Sequence, residues 1–326
     1  MIKINNPLHN DIKNTLLMDD PIEENLHVIV VTSNPCSFKK RYNLTNEFIE
    51  RLQKEKNVII YIVELIFNNQ EFKFTNANNP NHLQLKNDNI LWQKENMINL
   101  GVKYLLPMDW KAFAWIDADI EFDNPYWAMN TLKILHHSRD IVQLFTNCVD
   151  MDENKELMLL HTSFGYKYTH NELKGYEQHY WHPGYAWACN RLAYEKMGGL
   201  YDRSILGSGD NIIAHSLINM AIGTLKKGMN SEYIMDVSEY QRKIYGLRLG
   251  YVPGIIRHYY HGSKINRRYR DREDILIKNQ FNPNLHIKYN NFGLLVPTEH
   301  MSNELLEDIY QYFLQRNEDD ELIEGL

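Results

Sequence analysis

The sequence predicts an α/β domain in which a mixed, mostly parallel sheet carries helices on both faces. Three short apolar runs, rich in branched and aromatic residues, predict buried strands over Leu26–Thr32, Val58–Phe67 and Ala112–Ile116. Segments whose apolar residues recur at helical spacing lie between them, over Leu44–Lys54 and Asn89–Leu100. Strands that alternate with helices are typical of a parallel sheet that is covered on both sides.

The other elements are predicted from turn residues and periodicity. The polar, Asn-rich segment 68–89 predicts a mobile loop, and the next helix is expected to start at an N-cap, Asp88, and to stop at Gly101. No linker rich in Gly, Pro or Ser divides the chain, so we expect an N-terminal extension over 1–23, a single domain over 24–296 and a C-terminal helix with an acidic tail over 297–326. The later predicted elements are helices over Trp127–His136, Leu192–Met197 and Asn211–Ala221 and a strand over Ile141–Phe145.

The composition is that of a globular protein and excludes several classes of function. Of 326 residues, 44% are hydrophobic and 24% charged, and the net charge of −7 argues against broad nucleic-acid binding. Three scattered cysteines cannot form a disulfide framework or a zinc knuckle and suit a reducing compartment. The N-terminus lacks an apolar signal core, and no segment approaches the ~18 apolar residues of a membrane span. We therefore expect a cytoplasmic protein without a membrane span.

A pair of carboxylates at the end of the third predicted strand is the most informative motif. The run Ala112–Ile116 ends in Asp117 and Asp119, with one small residue between them. Open α/β sheets bind their ligands just past the carboxyl ends of their strands. Two such carboxylates can hold a divalent cation that keeps its other positions for phosphate oxygens. The alternative is a loop that caps the following helix.

Four blocks follow one another in a fixed order: Leu91–Asn99, Ala114–Asp119, His182–Trp187 continued through Gly198–Leu200 and Gly207–Asp210, and His258–Arg270. Together they resemble the nucleotide-sugar glycosyltransferases of the GT-A fold. The similarity is greatest to bacterial and large-DNA-virus members and looser to animal galactosyltransferases, in which a Glu precedes the Asp that here follows Gly209.

This resemblance implies a GT-A-like fold and a metal-dependent transfer of sugar from a nucleoside-diphosphate sugar, expected to be UDP-linked, to a hydroxyl of a glycan or other acceptor. A divalent cation, Mn²⁺ or Mg²⁺, would neutralise the charge that builds on the leaving diphosphate. Asp119 would be its leading ligand, and Asp117 would reach the ribose or the metal's waters. His261 is the expected third metal ligand, with His258 as its competitor, because imidazole beside carboxylates suits Mn²⁺. Lys264, Arg267 and Arg268 are expected to clamp the diphosphate, unless they form a solvated basic turn.

Asp210 is the candidate general base on the acceptor side. It would remove the proton of the acceptor hydroxyl during a single displacement with inversion. Asp directly before an amphipathic helix is also a preferred N-cap, and the two roles are compatible. The residues expected to form a sugar-stacking wall for the acceptor are Trp181, His182, Tyr185 and Trp187, with Gly184 allowing the backbone to approach the donor.

The remaining donor contacts are expected at the ends of the first two strands and at the start of the helix before the acidic pair. Thr32 and Asn34 follow the first strand and are placed to meet the base or ribose, and Glu64 in the second strand could do the same. Glu64 has the alternative of facing outward from a half-buried strand. Trp92 and Lys94 are expected to touch the donor, although Trp92 could equally pack against the helix face.

Two other functions compete with a glycosyltransferase. Phosphohydrolases of the haloacid dehalogenase type also place Asp-x-Asp after an apolar strand, but they expect Thr or Val where this chain has Glu121. A sugar-binding protein that keeps the fold without catalysis is the third possibility, because a fold does not guarantee an activity. Stabilisation by a nucleotide with Mn²⁺, as opposed to free sugar alone, distinguishes the transferase from the binding protein.

Overall fold

The computed structural model describes residues 7–173, 181–268 and 271–320, so the end of the fourth block at Tyr269–Arg270 and most of the acidic tail lie outside the described residues. The strands are β1 (Leu26–Ser33), β2 (Val58–Phe67), β3 (His82–Asn87), β4 (Ala112–Ile116), β5 (Ile120–Phe122), β6 (Ile141–Gln143), β7 (Asn147–Met151), β8 (Leu157–Ser163), β9 (Trp181–His182), β10 (Ala186–Asn190), β11 (Leu249–Tyr251), β12 (Ile255–His258), β13 (Ile287–Tyr289) and β14 (Leu295–Pro297). The helices are α1 (Pro7–Met18), α2 (Lys39–Leu52), α3 (Lys94–Leu105), α4 (Trp127–His137), α5 (Phe164–Thr169), α6 (Arg191–Met197), α7 (Gly209–Leu217), α8 (Ser231–Ile244), α9 (Glu273–Lys278), α10 (Pro283–His286) and α11 (Asn303–Gln315), with 3₁₀ turns at Ala221–Thr224 and Lys264–Arg267.

The central sheet has seven strands in the order β11-β6-β10-β4-β1-β2-β3. Strands β1, β2, β3 and β4 run parallel to one another, and β10 is inserted antiparallel between β4 and β6. The predicted fold class, a mixed and mostly parallel sheet with helices on both faces, is confirmed. The carboxyl ends of β1, β2 and β4 therefore share one edge of the sheet, where the acidic pair begins.

Successive side chains along the strands of the sheet point to opposite faces and pack into two apolar cores, one on each face. Ile29 of β1 packs into the core that includes α3, whereas Val28 and Val30 point into the other core with α4. The terminal helices join these cores: Ile12 of α1 lies in the second and Ile309 of α11 in the first. The first and last described helices thus each contribute to one of the two cores.

Three local predictions about α3 and the segment before it are wrong. The expected mobile loop 68–89 contains β3, whose alternating apolar and polar residues pair in parallel with β2 at the edge of the sheet. Gly101 does not end the helix, because α3 continues to Leu105 and a Cβ at Gly101 would lie 2.9 Å from Ile29 Cγ2. The glycine lets the helix approach β1 closely. The predicted N-cap, Asp88, is also wrong, because α3 begins at Lys94 and Gln93 occupies the N-cap position.

A second sheet, in the order β5-β12-β7-β8-β9, lies beside the acidic loop. Strand β12 pairs with β5 on one side and β7 on the other, so His258 is opposite both Ile120 and Asp150. This register carries residues that are far apart in sequence to the neighbourhood of Asp119. Within the described ranges, no helix is both long and apolar enough to cross a membrane.

Candidate active site

A cleft of about 930 Å³ opens at the carboxyl ends of β1 and β4, where α/β sheets bind ligands. It is bounded by the acidic loop after β4, the start of α7 and the loop that follows β12. The predicted site residues that line this cleft are Thr32, Asn34, Trp92, Lys94, Asp117, Asp119, Trp181, His182, Gly184, Tyr185, Asp210, His261, Lys264 and Arg267.

Three predicted site residues do not line the cleft, and we do not retain them. The buried Glu64 carboxylate holds its own loop, accepting hydrogen bonds from the N–H groups of residues 73–75, the nearest at 2.7 Å. Trp187 is 1% exposed and stacks on Trp115 in the core. Arg268 turns away from the cleft and donates to Gln315 Oε1 at 2.9 Å. A carboxylate within a strand and membership of an aromatic cluster are therefore not sufficient to assign a residue to the site.

Backbone hydrogen bonds on both sides fix the acidic loop. The Asp117 N–H donates to the Tyr185 carbonyl at 2.8 Å, and the Tyr259 N–H donates to the Asp119 carbonyl, also at 2.8 Å. Tyr185 has a φ of 77°, in the left-handed region that bulky side chains rarely adopt. Strain of this kind persists where the surrounding structure over-determines the conformation. Here Gly184 and Tyr185 form a tight turn that directs the Tyr185 carbonyl toward the Asp117 N–H.

Asp119, His258 and His261 form a group able to hold a metal ion, with ligand atoms within 4.8 Å of one another. Asp119 Oδ2 lies 2.9 Å from His261 Nε2 and 3.8 Å from His258 Nε2. The other oxygen, Oδ1, is buried and has no hydrogen-bond partner among the described residues. From the sequence, His258 was an alternative to His261 as the third metal ligand. In the structure both rings lie beside the Asp119 carboxylate. Asp117 is outside the group and pairs with a lysine instead.

Asp150 orients His258. Its Oδ1 lies 2.7 Å from His258 Nδ1 on the neighbouring strand, so the hydrogen of a neutral ring belongs on Nδ1 and the lone pair of Nε2 faces Asp119. Burial lowers the pKa of His258, which favours this neutral form. Burial alone would raise the pKa of Asp119, but His258 and His261 hold it well below its usual range. An ionised carboxylate beside two imidazoles is a set of ligands suited to Mn²⁺.

Lys94 bridges the two carboxylates on the opposite side of the cleft. Its Nζ lies 2.6 Å from Asp117 Oδ1 and 2.9 Å from Asp210 Oδ2. Burial raises the pKa of Asp117 to about 6, with Lys94 opposing and the charge of Asp210 adding to the shift. Asp210 is the second residue of α7, and Ser208 occupies the N-cap. The capping role considered for Asp210 is therefore wrong, and its carboxylate faces the cleft.

Glu95, directly after Lys94, is a further buried acid, and the sequence did not indicate it as a site residue. It accepts a hydrogen bond from Trp92 Nε1 at 3.0 Å and packs so closely on α7 that a Cβ at Gly209 would lie 2.3 Å from its Oε1. Burial raises the pKa of Glu95 to about 8, the charge of Asp210 adds to this, and Lys94 acts in the opposite direction. Glu95 is therefore mainly protonated in the folded protein at neutral pH.

Replacing Glu95 by Gln should make the protein increasingly more stable than the wild type as the pH rises. The folded pKa is about 8 and the ordinary value 4.5, so between them the unfolded wild type releases a proton that the folded protein keeps, and stability falls. Gln has the shape of the protonated acid and does not titrate. Because each pKa unit is worth about 1.4 kcal/mol, melting temperatures should agree below the ordinary value of 4.5, diverge between it and about 8, and keep a constant difference at higher pH. Parallel melting curves for the two proteins across this range would contradict a protonated Glu95.

A basic cluster surrounds His261 and includes two arginines that the sequence did not indicate. Arg41 of α2 and Arg316 after α11 line the cleft with Arg267, whose Nη2 lies 2.6 Å from His261 Nε2. Lys264 lines it too, but its ammonium pairs with Asp150. Arg41 and Arg316 come from opposite ends of the chain, so no local motif could have revealed them.

The predicted aromatic wall is partly formed. His182 and Tyr185 stack with ring centroids 4.1 Å apart, and Trp181 packs beside His215 at 5.4 Å. A Cβ at Gly184 would lie 3.4 Å from Asp210 Oδ2, so the glycine leaves space directly in front of the carboxylate. Beside Asp210 the cleft is thus lined by aromatic side chains and has no side chain at position 184.

No family model and no curated protein matches this chain. Among solved structures, the catalytic domain of a Drosophila β1,4-galactosyltransferase 7 with xylobiose is similar over 85% of this chain and 93% of its own, with 10% identity and a TM-score of 0.37. A mannosyltransferase from Pyrobaculum calidifontis with GDP-Man and Mn²⁺ is similar over 85% of this chain and 71% of its own, with 12% identity and a TM-score of 0.39. At TM-scores this low, the similarities carry no argument about function.

Proposed function

We propose that this protein is a metal-dependent glycosyltransferase that moves a sugar from a nucleoside-diphosphate sugar, UDP-linked by resemblance, to a hydroxyl of a glycan. The observation that carries the proposal is the convergence of Asp119, His258 and His261 in a large cleft that also holds Asp210. Metal ligands at a strand end, cationic side chains beside them and a separate carboxylate are the groups that sugar transfer from a diphosphate requires.

The donor set fits a divalent cation, with Asp119, His258 and His261 as its holders. The orphaned Asp119 Oδ1 and the fixed tautomer of His258 support this assignment. When bound, Mn²⁺ or Mg²⁺ would neutralise charge on the diphosphate as the glycosidic bond breaks. Asp117, which the sequence also offered as a ligand, would face the ribose or the metal's waters.

The basic cluster is suited to the diphosphate itself. Arg41, Arg267 and Arg316 line the cleft next to His261, and arginine pairs with phosphate oxygens through two parallel hydrogen bonds. We assign the diphosphate to these arginines in place of the predicted Arg268. Lys264 would contribute positive charge while it neutralises Asp150. Thr32 and Asn34 would meet the nucleoside at the β1 edge of the same cleft.

Asp210 would act as the general base that takes the proton from the acceptor hydroxyl. Its side chain is 22% exposed, so an acceptor can reach it, and Lys94 holds one of its oxygens. A base that acts directly on the acceptor implies one displacement with inversion at the anomeric carbon. His182, Tyr185 and Trp181 would hold the acceptor ring, and Trp92 and Lys94 lie where the transferred sugar would pass.

Thermal shift with a panel of nucleotides and sugars tests this function. UDP, GDP and free hexoses are each added with Mn²⁺ and with excess chelator, and UDP release from UDP-sugars is then measured. A ligand at about 100 times its Kd stabilises the fold by about 2.7 kcal/mol, a readily detected shift. We expect stabilisation by a nucleotide with Mn²⁺ and turnover of its sugar. Stabilisation by free sugar alone, without turnover, would indicate a non-catalytic binding protein.

A further inference from the structure

The segment after α11 folds back against the start of α2 and against the turn that follows His261. The Asp319 carboxylate accepts hydrogen bonds from the N–H groups of Lys39 and Lys40, at 2.9 and 2.7 Å, and so caps the start of α2. This helix has no side-chain cap of its own. A Cβ at Gly262 would lie 2.9 Å from Glu318 Cα, so the segment lies directly against the turn that follows His261. Residues 317–320 are thus anchored at two places beside the cleft.

Glu318 is the buried centre of this segment. Its side chain is 1% exposed and pairs with Arg41 and with Arg316, whose Nη2 lies 2.8 Å from Oε1. Burial would raise its pKa, but these two arginines hold the pKa well below the ordinary value, so the carboxylate is ionised. Its Oε2 lies 3.6 Å from His261 Nδ1. The carboxylate therefore links the basic cluster to the metal-binding group.

The two histidines have the same types of neighbour at different distances. Each directs Nε2 toward Asp119 and has a carboxylate on its Nδ1 side, Asp150 at 2.7 Å for His258 and Glu318 at 3.6 Å for His261. Arg267 also contacts the His261 ring, but a guanidinium has only hydrogens to donate. If a metal binds Nε2 of His261, the ring hydrogen lies on Nδ1. Among the described residues near Nδ1, Glu318 is the one that can accept this hydrogen. Carboxylates in this position orient ligand histidines and raise their basicity.

We propose that Glu318 is a positioning residue for the metal centre. The inference rests on the proposed function, since it requires that Asp119, His258 and His261 hold a divalent cation. Glu318 keeps the His261 ring turned so that Nε2 meets the cation, and it fixes Arg41 and Arg316 at the distance where they face the diphosphate.

Mn²⁺ affinity of the full chain, measured by electron paramagnetic resonance without donor, tests the inference. Glu318→Asp keeps the charge that Arg41 and Arg316 need but withdraws the carboxylate from His261, so it should fold and bind Mn²⁺ roughly 10-fold more weakly. Glu318→Gln should lose at least as much. Asp319→Asn is the matched control, because it removes a charge from the same segment without contact to His261, and its Mn²⁺ affinity should stay within about twofold.

A second comparison separates positioning from general stability. In a His261→Asn background, Glu318→Asp should change Mn²⁺ affinity by less than about twofold, because the ring on which it acts is gone. Melting temperatures in chelator identify any variant that is unfolded. Wild-type affinity in folded Glu318→Asp, or an equal loss with and without His261, would overturn the positioning role. An absence of Mn²⁺ binding by the wild type would overturn the metal centre itself and thereby the proposed function.

Discussion

Removal of the divalent cation, or of the Asp119 carboxylate, should abolish sugar transfer without unfolding the protein. A bound cation stabilises the leaving diphosphate by several kcal/mol, so turnover should fall by a factor on the order of 10³ or more. Asp119→Ala should stay folded because its partners are imidazoles, and burial lowers the pKa of His258, so that ring can remain neutral. Turnover is measured as UDP release in excess chelator, with Mn²⁺ then restored in excess.

Asp123→Asn is the control for this prediction. Asp123 follows the same acidic loop but pairs at the surface with Arg257, 2.8 Å away. An exposed pair contributes little to stability, about 0–1 kcal/mol, so this variant should turn over like the wild type. Chelation should inactivate Asp123→Asn as completely as the wild type, and Mn²⁺ should restore it. Full turnover in excess chelator, by either protein, would contradict a metal-dependent reaction.

The sequence predicted the parts of the site that depend on local pattern. The strand Ala112–Ile116 was predicted with its observed bounds, because a short, fully buried apolar run differs clearly from its polar flanks. The position of Asp117 and Asp119 at the cleft then follows from the general geometry of α/β sheets. The segment 68–89 was predicted as a loop because its edge strand β3 (His82–Asn87) has few apolar residues and its neighbours are rich in turn formers.

What the sequence could not predict are contacts set by register and by the meeting of the chain's two ends. His258 meets Asp150 because β12 and β7 pair in one particular register, across 108 residues of sequence. Arg41 and Glu318 meet across 277 residues. A carboxylate within a strand of the same sheet, such as Glu64 in β2, can also turn away from the site when loop N–H groups satisfy it. Such outcomes depend on tertiary packing, which a single sequence does not specify locally.

Asp210→Asn should reduce turnover by about 10²–10⁴-fold, the usual contribution of a general base. The amide has nearly the shape of the carboxylate but cannot accept the proton of the acceptor. Stability should change by no more than about 1 kcal/mol, the usual value of a charge in the first turn of a helix. Lys94 keeps its ion pair with Asp117. The charge of Asp210 helps to raise the pKa of Glu95, so its removal makes the ionisation of Glu95 less unfavourable. Turnover, melting temperature and UDP affinity with Mn²⁺ are measured on the same preparation.

Glu304→Gln is the matched control for Asp210→Asn. Glu304 is likewise the second residue of its helix, α11, and likewise pairs with a lysine, Lys278, at 2.8 Å, but it lies at the surface away from the cleft. Both variants should melt near the wild type and bind UDP as it does, and Asp210→Asn alone should lose turnover. If Asp210→Asn turned over within a few-fold of Glu304→Gln, Asp210 would not be the base. A retaining mechanism, which needs no base at this position, would then be the better account of the cleft.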